Sequence, residues 1–239
     1  MSSSDLRVRI IGRGRAGASF AAALSGRVAA VDHIGGRSDA VSSAGDDVDL
    51  VLVCVPDGAI TDVVGRIGQT DAVVAHVAGS VGIDALGDHR RTAAIHPLVA
   101  LPDSELGSRR LLSGATFAVA GDGVAVAVVE LLGGRAIEVS DADRTTYHAA
   151  AAIASNHVVG LLGQAERVAA TIGIPLDAYL DLVRVTVENV ASLGPAAALT
   201  GPAARGDEDT IARHRAVLDP SERDAYDAMV ELCRRLVDQ

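Results

Sequence analysis

"RVRIIGRGRAG", Arg7 to Gly17, decides how the rest of the chain is read. Arg7–Ile11 has the character of a strand. It runs into Gly12-Arg13-Gly14-Arg15-Ala16-Gly17, and an Ala-rich helical stretch follows to about Ser25. A G-x-G-x-x-G spacing carries little weight alone, but between a strand and a helix it suits a dinucleotide pyrophosphate. Gly12 permits the tight turn, Gly14 lets the backbone approach the phosphates, and Gly17 lets helix and strand pack closely. The free N–H groups and partial positive charge of the helix start then face the anion. All six residues, Gly12 to Gly17, are expected to line a cofactor site.

The pattern around this turn alternates strand and helix. "RVAAVDHIGG" supplies a second strand. "DLVLVCV" (Asp49–Val55) is apolar throughout, as a central parallel strand covered on both faces should be. "AVVAHVAGS", "RTAAIHP", "GATFAVAGD" and "RAIEVS" continue the series, with a helix over Val124–Leu132 between the last two. This rhythm predicts an α/β fold, a Rossmann-like doubly wound parallel sheet. Near Ser140 the pattern becomes helical and stays so to Gly173. Further helices are expected from Pro175 to Leu193, Asp207 to Leu218 and Ser221 to Val237. The expected organisation is a dinucleotide-binding domain over 1–140 and an all-α domain over 141–239 for substrate binding and dimerisation.

Composition narrows the function. The formal charge is −10, and no basic stripe with interleaved aromatics occurs, so nucleic acid is not an expected partner. No apolar run reaches membrane length, and "MSSSDLRVRIIG" lacks the apolar core of a signal peptide. Cys54 and Cys233 lie far apart without motif spacing, which points away from a metal site and towards the cytoplasm. All 21 basic residues are Arg, which excludes any lysine acid, base or Schiff base. The long Ala- and Val-rich helix has little polar covering, so a homodimer through the helical domain is expected.

Candidate site residues gather at strand ends. Arg37-Ser38 falls where the second strand should stop, and an Arg beside a hydroxyl suits the 2′-phosphate of NADP. Asp32 is the competing reading, as an acceptor for the ribose of NAD. It lies 15 residues past Gly17, inside the strand, whereas Arg37 lies 20 past; NADP is the preferred cofactor. Val55-Pro56-Asp57 and Gly79-Ser80 end strands at the carboxyl edge of the sheet and are expected beside the nicotinamide half. His96, in "HPL", ends another strand and is a candidate acid or base. The long helix carries Tyr147, His148, Ser155, Asn156 and His157. His148 and Asn156 lie about two turns apart on an otherwise small and apolar stretch, and buried polar groups there need partners. Asn189 is a weaker candidate of the same kind. "ALTGPAARGD" breaks the helical region with Thr200, Arg205 and Asp207, which reads as a substrate-facing wall, a plain connector or an adhesion tripeptide. Nothing in the chain suggests secretion, so adhesion is set aside.

Taken in order, the glycine turn, "VPD", "AGS", "HPL", "GATFAVAGD", "YHAAAAIASN" and "ALTGPAARGD" resemble the predicted oxidoreductases that join a Rossmann-like domain to a helical C-terminal domain of unassigned function. The resemblance covers nearly the whole chain. It implies a C-terminal domain similar to that of 6-phosphogluconate dehydrogenase, and kinship with ketopantoate reductase and pyrroline-5-carboxylate reductase. Some members are linked to ketopantoate reduction. The "AGS" and "HPL" blocks are also similar to the serine and histidine of prephenate dehydrogenases. One departure matters. Ketopantoate reductases of the better-known type use a helical lysine four residues before an asparagine. If Asn156 takes the asparagine's place, Ala152 takes the lysine's, so His148 or His96 must supply the proton.

The resulting expectation is an NADP-dependent reductase of a small carbonyl substrate, first a 2-oxo acid such as ketopantoate, with Arg205 and Asn156 orienting it. The alternatives are a dinucleotide-binding sensor or scaffold without turnover, and an imine reductase resembling pyrroline-5-carboxylate reductase.

Overall fold

The structure, a computed structural model, describes residues 5–237; residues 1–4 and 238–239, the outer ends of the two expected domains, lie outside the described residues. Contacts divide the chain into two units, Met1–Ser155 and Asn156–Gln239.

In the first unit seven strands form one sheet: β1 (Arg7–Ile11), β2 (Ala30–Ile34), β3 (Leu50–Val53), β4 (Val73–His76), β5 (Thr92–Pro97), β6 (Thr116–Gly121) and β7 (Arg135–Glu138). Their spatial order is β2-β1-β3-β4-β5-β6-β7. After β1 the chain goes to one side for β2 and returns to the other for β3. That reversal places a crevice beyond the carboxyl ends of β1 and β3, where open α/β sheets bind ligands. Every residue of β3 and β4 is buried, as the unbroken apolar run of β3 requires. The helices α1 (Arg15–Leu24), α2 (Ile60–Val64), α3 (Ser104–Leu111) and α4 (Val124–Leu131) cover both faces. Phe20, Leu24, Leu111, Phe117 and Val128 fill one side, and Val41, Ile60, Val64, Ile67 and Leu86 the other.

One pairing departs from the all-parallel expectation: β5 and β6 are antiparallel, with Pro97 opposite Phe117 and Ala93 opposite Gly121. A parallel pair needs a crossover that carries the chain back along the sheet. Here α3 packs against α1 instead, and the chain re-enters beside the end of β5, with the Leu98 N–H donating to the Thr116 carbonyl at 2.8 Å.

The helix expected from Ser140 starts later, as α5 (Arg144–Ala152). The Asp141 carboxylate accepts from the Ile83 N–H at 3.0 and 3.1 Å, which holds that residue in a loop contact. A π-helical segment, Ile153–His157, follows, then α6 (Val158–Ala170). The second unit continues with α7 (Asp177–Leu193), α8 (Pro195–Ala198), α9 (Pro202–Arg205), α10 (Glu208–Val217) and α11 (Pro220–Val237). Among the described residues no helix is long and apolar enough to cross a membrane.

Candidate functional site

The glycine turn is shaped by backbone contact. Gly12 has φ +116°, and a Cβ there would stand 2.2 Å from the Cys54 carbonyl oxygen. A Cβ on Gly17 would stand 1.8 Å from the Gly12 carbonyl oxygen. Neither position admits a side chain. Gly14 differs: nothing lies within 4 Å of where its Cβ would be. It precedes α1, whose start carries no side-chain cap, and the first N–H groups of a helix have no partner within it. Below the turn, His33 on β2 meets the Gly12 carbonyl at 2.9 Å through Nε2.

Two clefts meet over Gly14. One, of about 590 Å³, is lined by Gly14, Arg15 and Ala16 on one side, Val55, Pro56 and Asp57 on another, and Ala78 and Leu101 beyond. The second, of about 530 Å³, joins Arg13 and Gly14 to Gly36, Arg37, Val55 and Pro56. An uncapped helix start, a glycine with free space above it and two arginines, Arg13 and Arg37, lining the second cleft fit a dinucleotide diphosphate. Asp57 accepts from the Ser80 hydroxyl at 3.0 Å, which ties the segment after β3 to the one after β4.

At the end of β2 the two cofactor readings separate. Asp32 lies within the strand and forms an ion pair with Arg9 at 2.9 Å. The strand stops at Ile34, and Arg37 stands exposed in the loop beyond. The Ser38 side chain accepts from the Ala40 N–H at 3.2 Å and caps the short 3-10 turn Asp39–Val41.

His96 closes a tight side-chain cluster. Its Nδ1 is 2.7 Å from the Tyr147 hydroxyl of α5. The His148 ring lies edge-on to it, with centroids 6.0 Å apart. Both rings bear on Gly79, where a Cβ would fall 2.6 Å from His148 Cδ2 and 2.8 Å from His96 Nε2. Burial, with His148 and then Arg144 adding to it, pushes His96 down to about 4. At neutral pH its imidazole is therefore uncharged. Burial raises the Tyr147 hydroxyl, so it stays protonated.

Two residues that sequence reasoning did not select support this cluster. His76 is fully buried at the end of β4. Its Nδ1 accepts from the Ala78 N–H at 3.2 Å, so the ring proton lies on Nε2 and donates to the Gly82 carbonyl at 3.1 Å. Burial lowers its pKa, and it holds the segment 77–82 as a neutral brace. Arg144 is only 1% exposed. Its Nη1 donates to the Ala78 carbonyl at 3.4 Å, and Asp141 lies 3.4 Å from its Nε. Its Nε and Nη2 have no hydrogen-bond partner among the described residues. Burying a cation this incompletely satisfied costs several kcal/mol, an expense that marks a site more often than a plain core. No sequence signal separates Arg144 from the chain's other arginines. His76 could have been found as the one polar residue in an apolar strand.

In the second unit, Gly201 (φ +101°) and Gly206 (φ +64°) bracket α9, whose first residue is Pro202. The Asp207 side chain accepts from the Thr210 N–H at 3.1 Å and caps α10. This cap gives the tripeptide a local structural purpose. Thr200 and Arg205 are exposed. Asn156 lies in the π-helical segment, a deviation common at functional positions.

Residues 116–232 match a family model described as a domain of unknown function, DUF2520. No curated protein matches the chain. Among solved structures, a Bacteroides fragilis protein assigned as an NADP oxidoreductase superposes with a TM-score of 0.80 at 20% identity, over 98% of this chain and 100% of that one. A reductive aminase from Aspergillus terreus, in complex with NADPH, cyclohexanone and allyl amine, gives 0.72 at 12% identity, over 97% and 94%. Plasmodium falciparum pyrroline carboxylate reductase with NADP bound gives 0.65 at 12% identity, over 98% and 99%. By fold, then, this chain is a Rossmann-like sheet followed by a helical unit, of the kind seen in dinucleotide-binding reductases, with the DUF2520 match running from β6 into α11.

Proposed function

We propose that the protein is a cytoplasmic NADP-dependent reductase of a small carbonyl or imine compound. The observation that carries this reading is the pair of clefts meeting over Gly14, with Arg37 at one end and the strand ends of β3 and β4 at the other. NADPH supplies a hydride for a C=O or C=N carbon. The chain's own part is to orient the substrate and deliver one proton to its oxygen or nitrogen. Tyr147 is the donor this reading favours, since burial keeps its hydroxyl protonated. With the His96 ring proton on Nδ1, that N–H donates to the Tyr147 oxygen and stabilises it as the phenol proton leaves. The chain's histidines then act as partners: His96 to Tyr147, and His148 as a polar wall beside Gly79.

A 2-oxo acid of the ketopantoate kind is the first substrate proposed, because an exposed Arg205 suits a carboxylate. A cyclic imine is the second, favoured by the reductive aminase and pyrroline carboxylate reductase folds. NADPH consumption against a panel of 2-oxo acids and cyclic imines decides between them. No consumption with any member, despite tight cofactor binding, replaces both with a sensor or scaffold. Once a substrate is known, Arg205→Ala is expected to cost roughly 2–4 kcal/mol in kcat/KM, as for one strong electrostatic donor, with NADPH affinity unchanged. A loss shared equally by NADPH binding removes Arg205 from the substrate wall.

The helical unit is also proposed to pair with a second copy. None of the residues of α7 is buried, yet Leu182 is 64%, Val187 61% and Leu193 61% exposed. Leu182 and Leu193, about three turns apart, share one face, and Val187 lies well round the helix from them; a helix apolar on more than one side is normally enclosed. Sedimentation at micromolar concentration is expected to give twice the 24.3 kDa chain mass; a monomer contradicts this.

A further inference from the structure

We propose that Arg66 sets cofactor preference without touching the cofactor, by fixing the loop Gly35–Ser38 so that Arg37 is held ready for a 2′-phosphate. The inference rests on the NADP reading and deepens it. Arg66 lies just beyond α2, and its planar head spans the loop. Nη1 donates to the Gly36 carbonyl at 2.8 Å, and Nη2 donates to the Ser38 carbonyl at 2.7 Å. Those two carbonyls belong to the residues on either side of Arg37. Charge-assisted bonds of this length are strong, and two from one rigid fork fix an angle as well as a distance.

The loop needs such a brace. Gly35 and Gly36 are adjacent, and glycine gives backbone its widest freedom. Opposite the brace, Gly36 rests on Val55, where a Cβ would come within 3.1 Å of Cγ1. The Ser38 N–H closes the turn onto the Gly35 carbonyl at 3.0 Å. Arg37 itself stays exposed and lines the same cleft as Arg13. Freedom removed before binding does not have to be removed on binding. The saving reaches only a ligand that engages Arg37, which NADPH does and NADH does not. Arg66 is itself exposed, so replacing it should leave the core intact.

The test measures dissociation constants for NADPH and NADH with the unmodified protein, Arg37→Ala, Arg66→Met, Arg66→Lys and the Arg37→Ala/Arg66→Met double variant. The expected result for Arg66→Met is a loss of about fivefold or more for NADPH with NADH within about twofold, a melting temperature close to that of the unmodified protein, and no further loss in the double variant. Arg66→Lys should resemble Arg66→Met, because an ammonium keeps the charge but not the fork. Full rescue by Lys, an equal loss for both cofactors, or additive losses in the double variant overturns the positioning role. If Arg37→Ala leaves the preference unchanged, or the unmodified protein has none, the NADP reading of this loop fails and the inference falls with it. If Arg37→Ala collapses the preference and Arg66→Met does not change it, only the inference fails.

Discussion

Tyr147→Phe is expected to lower turnover by about 10²- to 10⁴-fold, the usual contribution of a positioned proton donor, while NADPH binding is unchanged. Phe keeps the ring and removes only the hydroxyl, so the packing of α5 beside β5 survives. What is lost is the group 2.7 Å from His96 Nδ1. His96 cannot take over as an imidazolium, because burial has pushed it down to about 4. For the same reason turnover should not fall between pH 5 and 7 through His96, which is already uncharged over that range. Steady-state kinetics at saturating NADPH reads the effect. Turnover within about tenfold of the unmodified protein would return the donor role to His148 or to solvent.

Gly17→Ala should damage both fold and cofactor site. The added methyl would stand 1.8 Å from the Gly12 carbonyl oxygen, a backbone atom that cannot swing aside. Forcing atoms into a packed site costs about 1–3 kcal/mol or more, which for a chain of this size lowers the melting temperature by roughly 2–4 °C per kcal/mol. The shift would also move the turn that faces the phosphates, so NADPH affinity should fall by about tenfold or more. Gly14→Ala is the informative contrast. Its methyl enters open space and its backbone, at φ −74°, suits any residue. It should leave the melting temperature unchanged and weaken NADPH alone. Equal melting temperatures for the two variants would mean that the close approach at Gly17 is not what shapes this turn.

The fold was legible because its signals are local. The unbroken apolar run at Leu50–Val53 marks a strand buried on both faces, and the spacing from Gly12 to Gly17 marks a strand-to-helix turn. The antiparallel β6 was not legible, since strand direction depends on where α3 packs and not on the pattern within β6. The start of α3, by contrast, is written in the sequence. Asp103 caps it, accepting from the Leu106 N–H at 2.8 Å, and Asp before a helical turn is a readable start signal. The π-helical segment leaves no mark in the residue pattern, because helix period and apolar content continue across it.

The candidate site divides in the same way. Strand-end residues such as Val55-Pro56-Asp57 and the loop residue Arg37 could be named from their order along the chain, and they line the clefts. Contacts between distant segments could not. His96 and Tyr147 are 51 positions apart, and the Arg66 brace reaches back 30 and 28 positions to its two carbonyls. The charge state of His96 follows from burial, which composition does not reveal.

The most direct measurement of the central claim is a titration of the purified protein with NADPH and with NADH. Charge-assisted contacts to one phosphate are worth about 1.5–3 kcal/mol each, and about 1.4 kcal/mol is tenfold in affinity. NADPH should bind at least tenfold more tightly than NADH. Equal binding of the two, or binding of neither, would contradict the assignment.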